Sequence, residues 1–402
     1  MNNRVCVTGV GIVSSIGHGK KNFWDHLITG NSGITEVELF DTSPFDVHRS
    51  GEIKNFDPSE FKINENRYGR CSQLAIAACQ LAVDDAGLTK LKRANAAVII
   101  GTTLGETQSI EAIDQLWVKD EGSVRTDLIE QYPAGNIADN VADVFSFKGA
   151  SMVIPNACAA GNFAISYAYD LIRSGDYDIV ITGGAEAMSK IAFTGFCRIF
   201  AIAPNKCQPF DIDRKGIMVG EGAGMLVLES EEHVRSRQAK VYCYVTGFGL
   251  SADAKSMIIP DEDGIYKAMC SALKDAKVES RDVDYICAHG TGTKANDLAE
   301  SKAICRLFGS RQKNGSPLVT SIKSMLGHTM GAASAIESIS CVLSIDTGII
   351  PPTINLEEQD PGCDIHCVAN AALERRVNTV LNNAFAFGGN NSCVVFSNGC
   401  DR

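Results

Sequence analysis

Apolar and polar residues alternate along the first half of this chain in blocks that predict strands followed by helices. Continuous apolar runs predict strands within Val5–Ser14 and at Ala96–Gly101 and Ile179–Gly184. Helical spacing of apolar residues predicts a helix over Gln73–Ala86, which ends at Gly87. Continuous apolar strands that alternate with helices are typical of parallel sheets covered on both faces. The pattern therefore predicts an α/β protein with mixed, mostly parallel sheets.

The second half repeats this alternation. The run Val5–Ser14 reappears in weaker form at Val241–Ser251, and both copies contain Thr-Gly-x-Gly. The charged stretch Glu229–Lys240 precedes the second copy and predicts a connecting helix. We therefore expect two duplicated βα halves, residues 1–240 and 241–402. The elements predicted in the second half are the helices Tyr266–Ala276, Leu298–Leu307 and Ala332–Asp346 and the strands Tyr285–Ala288 and Val394–Ser397.

The net charge limits the partners of the chain. A formal net charge of -11 argues against nucleic acid as the main partner, because phosphate binding requires a concentrated cationic face. Lys62, Arg67 and Arg70 form a local basic cluster that predicts docking of an acidic partner. A solvated helix face explains the same charges equally simply.

Hydropathy and cysteine content indicate the compartment. No apolar run reaches ~18 residues, so no membrane span is predicted, and no signal pattern follows Arg4. The 15 cysteines lack regular spacing, which fits a reducing compartment better than a disulfide framework. We therefore expect a cytoplasmic protein. Cys363, His366 and Cys367 are clustered, but no second Cys/His pair has zinc spacing, so no metal site is predicted.

Cys158 lies at a predicted junction between a strand and a helix. The run Ala150–Ala157 predicts a short buried strand, and Ala159–Ser174 predicts a helix with small residues in its first turn. Unpaired backbone N–H groups and the positive end of the helix dipole favour thiolate over thiol at such a position. The thiol is therefore a candidate nucleophile, and the alternative is a buried structural cysteine.

Three polar groups follow strands in the second half. His289 comes directly after the strand Tyr285–Ala288, at the kind of strand end where open α/β sheets form their sites. Lys323 and His328 precede a helix start rich in small residues. Because both histidines lie in glycine-flanked turns downstream of Cys158, we interpret the set as an active site rather than as structural histidines.

The segment Asn383–Asn391 contains a glycine pair after an aromatic residue. Such a turn lets backbone N–H groups approach a reacting atom closely, as an oxyanion hole requires. In isolation, an ordinary tight turn before the last strand explains the segment as well.

Together these segments resemble the elongating β-ketoacyl-acyl carrier protein synthases of the thiolase superfamily along nearly the whole chain. The resemblance implies a thiolase-like fold with α-β-α-β-α layers. The matching runs are Val7-Thr-Gly-Val-Gly11, Asn156-Ala-Cys-Ala-Ala-Gly161, Pro209-Phe-Asp-Ile-Asp-Arg214, Val219-Gly-Glu-Gly-Ala-Gly224, His289-Gly-Thr-Gly-Thr293, Lys323-Ser-Met-Leu-Gly-His328 and Phe387-Gly-Gly-Asn-Asn391.

The resemblance also implies a reaction in two steps. An acyl group passes from the phosphopantetheine thiol of an acyl carrier protein to Cys158. His289 and His328 then assist decarboxylation of malonyl-carrier protein, and the resulting enolate attacks the acyl group. The backbone N–H groups of Cys158 and Phe387 form the oxyanion hole of the acyl-enzyme. Beyond the carrier-bound phosphopantetheine, no cofactor is implied.

Other residues receive supporting roles from the same resemblance. Lys323 orients the second histidine, and Glu337 is a buried structural acid near this lysine that can contribute to a cation site. The strand Ser151–Pro155 pairs across a two-fold axis, so a homodimer or a heterodimer with a related subunit is expected. The pocket residues implied are Thr291 and Thr293 for the pantetheine arm, Phe387 as a gate and Leu104 for the acyl chain.

The chain also departs from the family pattern. Asn156 replaces the common Thr before Ala-Cys, while Gly292 and Lys294 replace the usual Ser and Pro of the first histidine motif. The segment between Gly195 and Pro209 is several residues shorter than in the fatty-acid enzymes. A type II polyketide or polyene pathway is therefore an alternative to fatty-acid synthesis. A pocket-shaping or decarboxylating subunit of a heterodimer and a thiolase stay open as further alternatives.

Overall fold

The computed structural model describes residues 3–89, 95–119, 125–313 and 315–399, and its main feature is one long sheet. This sheet has 12 strands, with the order β13-β11-β10-β15-β16-β9-β1-β8-β7-β5-β6 and with β2 paired to β1. The strands are β1 Val5–Ser14, β2 Gly17–His18, β3 Thr35–Glu36, β4 Arg49–Ser50, β5 Ala97–Thr102, β6 Ser151–Pro155, β7 Ile179–Glu186, β8 Gly222–Ser230, β9 Cys243–Ala252, β10 Tyr285–Cys287, β11 Leu318–Thr320, β12 Ile349–Ile350, β13 His366–Cys367, β14 Leu373–Glu374, β15 Thr379–Phe385 and β16 Asn390–Ser397.

The strand order is the same in the two halves of the sheet. The first half runs β6-β5-β7-β8-β1, and the second runs β11-β10-β15-β16-β9. If the five strands of each half are numbered 1 to 5 in chain order, both halves have the spatial order 3-2-4-5-1. The two halves join where β1 pairs with β9, from Val5 opposite Val245 to Val7 opposite Cys243.

The predicted α/β fold with a mixed sheet is confirmed, but parallel pairs do not predominate. Parallel pairing is found where β5 meets β6 and β7, and where β10 meets β11 and β15. Strands β8, β1, β9 and β16 pair antiparallel with their neighbours. Strands β15 and β16 are joined by a hairpin of the residues between Phe385 and Asn390, and so short a connection requires antiparallel neighbours.

Helices cover both outer faces of the sheet and fill the space between its halves. Helix α2 packs on β1 and β8, α9 packs on β9 and β16, and α6 and α12 pack against strands of both halves. The result is the α-β-α-β-α layering expected. The helices are α1 Gly19–Ile28, α2 Arg70–Asp85, α3 Thr107–Val118, α4 Thr126–Gln131, α5 Asn136–Phe145, α6 Ala160–Ser174, α7 Lys190–Arg198, α8 Glu231–Arg237, α9 Glu262–Ala276, α10 Lys294–Phe308, α11 Lys323–Leu326 and α12 Ala333–Thr347, and 3-10 turns lie at Pro58–Phe61, Ala157–Ala159, Ser280–Asp282 and Met330–Ala332.

Central burial explains the composition of α12. Every residue from Ala333 to Ser344 is buried, and small serines and alanines alternate with branched residues along the helix. Small side chains allow close approach to the neighbouring backbone, and Gly161 of α6 has Ala335 as its neighbour in α12. No helix in the described parts of the chain is long and apolar enough to cross a membrane.

One predicted strand differs from expectation in its environment. The run Ala150–Ala157 was expected to be buried, whereas β6 is half exposed and Met152 is 42% exposed. The reason is topological, because β6 lies at the edge of the sheet and pairs only with β5. An edge strand leaves one row of backbone N–H and C=O groups free for another chain.

Candidate active site

Cys158 lies in a sharp turn between β6 and α6. The residue before it, Ala157, has a φ of 41°, a left-handed conformation that costs a non-glycine residue roughly 1–3 kcal/mol. The 3-10 turn Ala157–Ala159 then leads directly into α6. This turn brings the thiol to the base of a narrow cavity, where its residue is 7% exposed.

Burial, rather than the helix N-terminus, dominates the acidity of the Cys158 thiol. Burial raises the pKa of Cys158 to about 11, while the Lys323 ammonium and the Phe387 backbone N–H act in the opposite direction. The expectation that the helix N-terminus favours a resting thiolate is therefore wrong for this structure. At neutral pH the group is a thiol, and its proton must leave when the sulfur attacks.

His289 is fixed through its backbone by a buried carboxylate. Its N–H donates to Oε1 of Glu300 at 2.9 Å, and the next N–H, of Gly290, donates to Oε2 at 2.8 Å. Lys323 Nζ donates to the His289 carbonyl at 2.7 Å and lies 3.4 Å from its Nδ1. An ammonium has only protons to offer, so Nδ1 is the acceptor and Nε2 carries the ring proton.

His328 has the same tautomer for a different reason. Its Nδ1 accepts a hydrogen bond from the Met330 backbone N–H at 3.1 Å. Its own N–H donates to the Met218 carbonyl at 2.6 Å, and its carbonyl accepts from Gly220 at 2.9 Å. Because a backbone N–H occupies Nδ1, the ring proton of His328 lies on Nε2.

The two histidines form a pair of neutral hydrogen-bond donors beside the thiol. Their ring centroids are 5.4 Å apart and the rings are nearly perpendicular, at 81°. One ligand atom each of Cys158, His289 and His328 lies within 4.8 Å of the other two. Burial first and then Lys323 hold the pKa of both imidazoles well below 6.5. Both rings are therefore neutral at physiological pH.

Lys323 and Glu337 form a buried ion pair behind His289. Both side chains are 2% exposed, and Lys323 Nζ contacts Oε1 of Glu337. Burial raises the pKa of Glu337 to about 7, against the opposing effect of Lys323. Its second oxygen, Oε2, has no hydrogen-bond partner among the described residues. The pair keeps positive charge next to the imidazoles, which is one reason they stay neutral.

The turn between β15 and β16 closes over the thiol. The backbone N–H groups of Phe387 and of Cys158 itself both lower the pKa of the Cys158 thiol, so both act on its sulfur. Gly388 and Gly389 have φ of 87° and 76°, which only glycine adopts without strain. The Phe387 ring is 40% exposed and packs on Phe196 with centroids 6.0 Å apart. The turn thus places the Phe387 N–H and an aromatic side chain at the cavity entrance, while the Cys158 N–H comes from the turn between β6 and α6.

The cavity above Cys158 is narrow, about 50 Å³, and mostly apolar. Thr291 and Thr293 lie on its wall, and their hydroxyls are 2.9 Å apart. Leu104, expected in the acyl pocket, does not line the cavity within the described part of this chain. The lining residues are Cys158, Phe196, Ala201, Ile217, Ser256, Met257, Ile258, Ile259, Pro260, His289, Thr291, Thr293, Asn296, His328, Phe385, Ala386, Phe387 and Gly389.

Sequence reasoning missed two buried acids next to this site. Glu186 at the end of β7 accepts from the N–H groups of Thr103 and Gly331 at 2.7 and 2.9 Å. Glu300 of α10 holds the His289 loop. Burial raises the pKa of each carboxyl to about 7. A single glutamate in a helix or strand gives no sign of burial in the sequence, so no pattern could have identified these residues.

Sequence reasoning also missed the apolar segment Met257–Ile259 at the cavity entrance. Its three side chains are 75%, 55% and 60% exposed. An apolar run between charged residues, in Lys255-Ser-Met-Ile-Ile-Pro-Asp261, was the signal that could have identified it.

The basic cluster proposed for docking lies outside the residues that line this cavity. Arg70 at the start of α2 binds Glu221 at 2.6 Å. Arg67 lies 3.5 Å from Asp143, and Lys62 ends a 3-10 turn in the left-handed conformation. Arg70 is therefore occupied inside the fold, and docking at Lys62 and Arg67 stays a prediction.

Cys158, His289 and His328 are also the only group of three potential metal ligands within the ranges that the structure describes. Thiolate and imidazole are ligands that suit zinc. Cys363, His366 and Cys367, which are close in sequence but were not predicted to bind a metal, do not form such a group there.

Comparisons with known proteins identify the family. Residues 2–233 match the model of the β-ketoacyl synthase N-terminal domain, and residues 242–357 match that of the C-terminal domain. The chain is 37% identical over 407 residues to 3-oxoacyl-[acyl-carrier-protein] synthase 2 of Vibrio harveyi, covering 98% of both chains. It is 38% identical over 410 residues to nodulation protein E of Rhizobium sp. (strain N33), covering 98% of this chain and 99% of the relative.

Solved structures agree with this assignment. A structure described as the ishigamide ketosynthase/chain length factor superposes with a TM-score of 0.95 at 41% identity, covering 99% of both chains. A type II polyketide ketosynthase in complex with its acyl-carrier protein, AntDE:AntF, gives a TM-score of 0.89 at 28% identity, again with 99% coverage of both. The chain belongs to the β-ketoacyl synthase family, whose members are acyltransferases that form carbon-carbon bonds.

Proposed function

We propose that this chain condenses an acyl group held on Cys158 with a malonyl group held on an acyl carrier protein. The observation that carries the proposal is the convergence of one thiol and two neutral imidazoles within 4.8 Å. A thiol suits covalent transfer of the acyl group, and neutral Nε2–H donors suit stabilisation of an enolate. Retention of the thiol favours this function over that of a pocket-shaping subunit.

In the first step the Cys158 sulfur attacks the thioester carbonyl of the incoming acyl group. A carbon-sulfur bond to Cys158 forms, the bond to the pantetheine sulfur breaks, and the thiol proton ends on the departing sulfur. The N–H groups of Cys158 and Phe387 both act on this sulfur, and we assign them to the oxyanion that develops next to it. The net transfer neither consumes nor releases a proton, because one thiol replaces another.

In the second step the malonyl carboxylate leaves as carbon dioxide, and the electron pair of the broken bond forms an enolate. His289 and His328 donate their Nε2–H groups to the enolate oxygen. The enolate carbon then attacks the acyl-Cys158 carbonyl, the bond to sulfur breaks, and the departing thiolate takes up a proton from water. Because burial keeps the imidazoles neutral, they stabilise the enolate by hydrogen bonds without transferring their protons to it.

Lys323 acts as a positioning residue for His289, the first histidine, and not for the second, His328, as the resemblance implied. It binds the His289 carbonyl and offers a proton to Nδ1, which fixes both the ring and its tautomer. Glu337 holds the ammonium in place from the other side. The proposal assigns Thr291 and Thr293 to the pantetheine arm and Phe387 to the gate. Leu104 retains its proposed role only if a second subunit completes the acyl pocket.

The partners we propose are an acyl carrier protein and a second ketosynthase subunit. The edge strand β6, half exposed in this chain, is proposed to pair with the second subunit, which is either identical or related. The halves 1–240 and 241–402 are proposed products of duplication, a view supported by their common strand order. The reaction uses no cofactor besides the carrier-bound phosphopantetheine, and we propose that it takes place in the cytoplasm.

The pathway we propose is type II polyketide or polyene synthesis, with fatty-acid synthesis as the second candidate. The short segment from Gly195 to Pro209 and the 41% identity to the ishigamide ketosynthase/chain length factor support the first. The 37% identity to 3-oxoacyl-[acyl-carrier-protein] synthase 2 supports the second.

Incubation with a panel of acyl-carrier proteins and malonyl-carrier protein tests the proposal. We expect intact-protein mass spectrometry to detect an acyl adduct on the enzyme and a product longer by two carbons on the carrier. Cys158→Ala abolishes the adduct, whereas Cys197→Ala, a control at a half-buried free cysteine of α7 outside the cavity lining, leaves it unchanged. An undiminished adduct on Cys158→Ala would contradict the assignment.

A further inference from the structure

A second groove lies outside the Cys158 cavity and continues from it. The groove measures about 520 Å³, and Thr293, Ile258 and Phe387 line both spaces. Its other walls come from the end of α7, from the segment Ile212–Gly216 and from the first turn of α10. A substrate arm that reaches Cys158 through the gate at Phe387 therefore passes through this groove.

The groove has an unbalanced cationic lining. Lys215 and Lys294 are exposed, and neither forms an ion pair with any residue in the described ranges. Arg214 also lines the groove, but its guanidinium is buried and bound to Asp360 at 2.7 Å. Asp213 is the only carboxylate among the described lining residues. The lining thus holds two exposed ammonium groups and one carboxylate, in a chain whose formal net charge is -11, and Lys294 also lowers the pKa of the Asp360 carboxyl nearby.

Apolar side chains complete the outer wall. Phe200 is 91% exposed and Ile199 is 48% exposed, and both line the groove together with Ile258 and Ile259. An apolar wall with two ammonium groups at its edge matches a long, largely uncharged arm that carries one anionic group. It does not match a purely polar ligand, which would gain nothing from contact with these side chains.

We propose that Lys294 and Lys215 bind the phosphate of the phosphopantetheine arm while its thiol end reaches Cys158. This inference rests on the proposed function, because it concerns the same substrate at the entrance to the same cavity. Lys294 directly follows Thr293, which lies on the wall shared by cavity and groove, so one loop contacts both the amide part and the phosphate of the arm. Phosphate binding also gives a role to Lys294, which replaces the usual proline of the first histidine motif.

Binding of unacylated 4′-phosphopantetheine and pantetheine, compared by calorimetry, tests the phosphate site without requiring catalysis. A charge-assisted hydrogen bond is worth about 1.5–3 kcal/mol, so we expect the phosphorylated compound to bind at least about tenfold more tightly. Lys294→Ala and Lys215→Ala reduce this preference several-fold, and Lys294→Arg retains it. Asp213→Asn increases the preference, because it removes the opposing charge.

Lys302→Ala is the matched control. Lys302 is an exposed lysine of the same helix α10 that does not line the groove, so its removal leaves the preference unchanged. Equal affinities of Lys294→Ala, Lys215→Ala and wild type for the phosphorylated compound would overturn the phosphate site. Acyl loading of Cys158, measured on the same samples, separates the two proposals. Wild type that binds the phosphorylated compound selectively but accepts no acyl group would contradict the proposed reaction and support the phosphate site.

Discussion

The loops that follow β5 and β10, the second strands of the two halves, are each held by a buried carboxylate, but the two carboxylates have different roles. After β5, the N–H groups of Thr103 and Leu104 donate to Glu186 at 2.7 and 3.0 Å. After β10, the N–H groups of His289 and Gly290 donate to Glu300 at 2.9 and 2.8 Å. In both loops a fully buried carboxylate binds two successive backbone N–H groups.

The difference between the loops lies in what the carboxylate fixes. Glu186 also accepts from Gly331 of the second half at 2.9 Å, so it ties the two halves together beside Cys158. Glu300 accepts instead from the Asn383 side chain at 3.2 Å, within its own half. The first loop presents side chains without acid-base chemistry, and the second presents an imidazole to the cavity. The fold therefore provides the same carboxylate-bound loop twice, after β5 and after β10. The side chain that each loop carries decides whether the loop takes part in the chemistry.

We expect the largest difference between the two loops in the rate of decarboxylation after each glutamate is replaced by glutamine. Each Glu→Gln change replaces one acceptor oxygen with an NH₂ group and leaves a buried N–H unpaired, which costs about 1–3 kcal/mol of stability at either site. Glu300→Gln also displaces His289, so we expect decarboxylation of malonyl-carrier protein to fall about tenfold. Glu186→Gln lowers the thermal midpoint by a similar amount but leaves the rate of decarboxylation within about twofold of wild type. The expected tenfold loss in Glu300→Gln corresponds to roughly 1.4 kcal/mol in the activation free energy, so the two variants are easily distinguished.

Thermal unfolding and a malonyl decarboxylation assay check this pair of variants. Equal losses of decarboxylation in both variants, at equal loss of stability, would mean that Glu300 has only a structural role.

A smaller effect is expected on the thiol. The Glu186 carboxylate raises the pKa of Cys158, although burial is the main cause of the value of about 11. Above pH 7 Glu186 is largely ionised, because its own pKa is about 7. Glu186→Gln removes that charge, so the pKa of Cys158 falls and the thiolate fraction at pH 8 rises.

Alkylation of Cys158 by iodoacetamide, followed by mass spectrometry at several pH values, measures this shift. In wild type the rate keeps rising with pH beyond pH 9, because the pKa lies near 11. Lys302→Ala, at an exposed residue outside the cavity lining, is the control and alkylates at the wild-type rate. A wild-type rate that levels off near pH 8 would contradict the protonated resting thiol.

The sequence predicted those features that repeat or that carry rare residue types. Most long helices follow from periodicity, and the convergence of Cys158, His289 and His328 follows from glycine-flanked motifs. Helix bounds were off by a few residues: α10 begins at Lys294, not at Leu298, because Thr293 caps it by accepting from Asn296 at 3.3 Å. Such a cap becomes certain only when the loop before it is in place.

The features that the sequence did not predict depend on contacts between distant segments. Glu186 and Glu300 become buried only when the sheet and α10 assemble around them. The high pKa of Cys158 results from burial in the assembled fold, which outweighs the lowering effects of Lys323 and of the Phe387 backbone N–H. The half-exposed face of β6 results from its place at the sheet edge, which apolar composition alone does not reveal.

In the proposed reaction, Cys158 accepts the acyl group, and the histidine pair promotes decarboxylation. Separate assays of these two half-reactions test this assignment most directly. We expect Cys158→Ala to form no acyl adduct while still decarboxylating malonyl-carrier protein at a rate within a few-fold of wild type. We expect His328→Ala and His289→Ala to load the acyl group and to decarboxylate about a hundredfold more slowly, as the loss of an oxyanion donor typically costs. Equal losses in both half-reactions for Cys158→Ala and His328→Ala would contradict the claim.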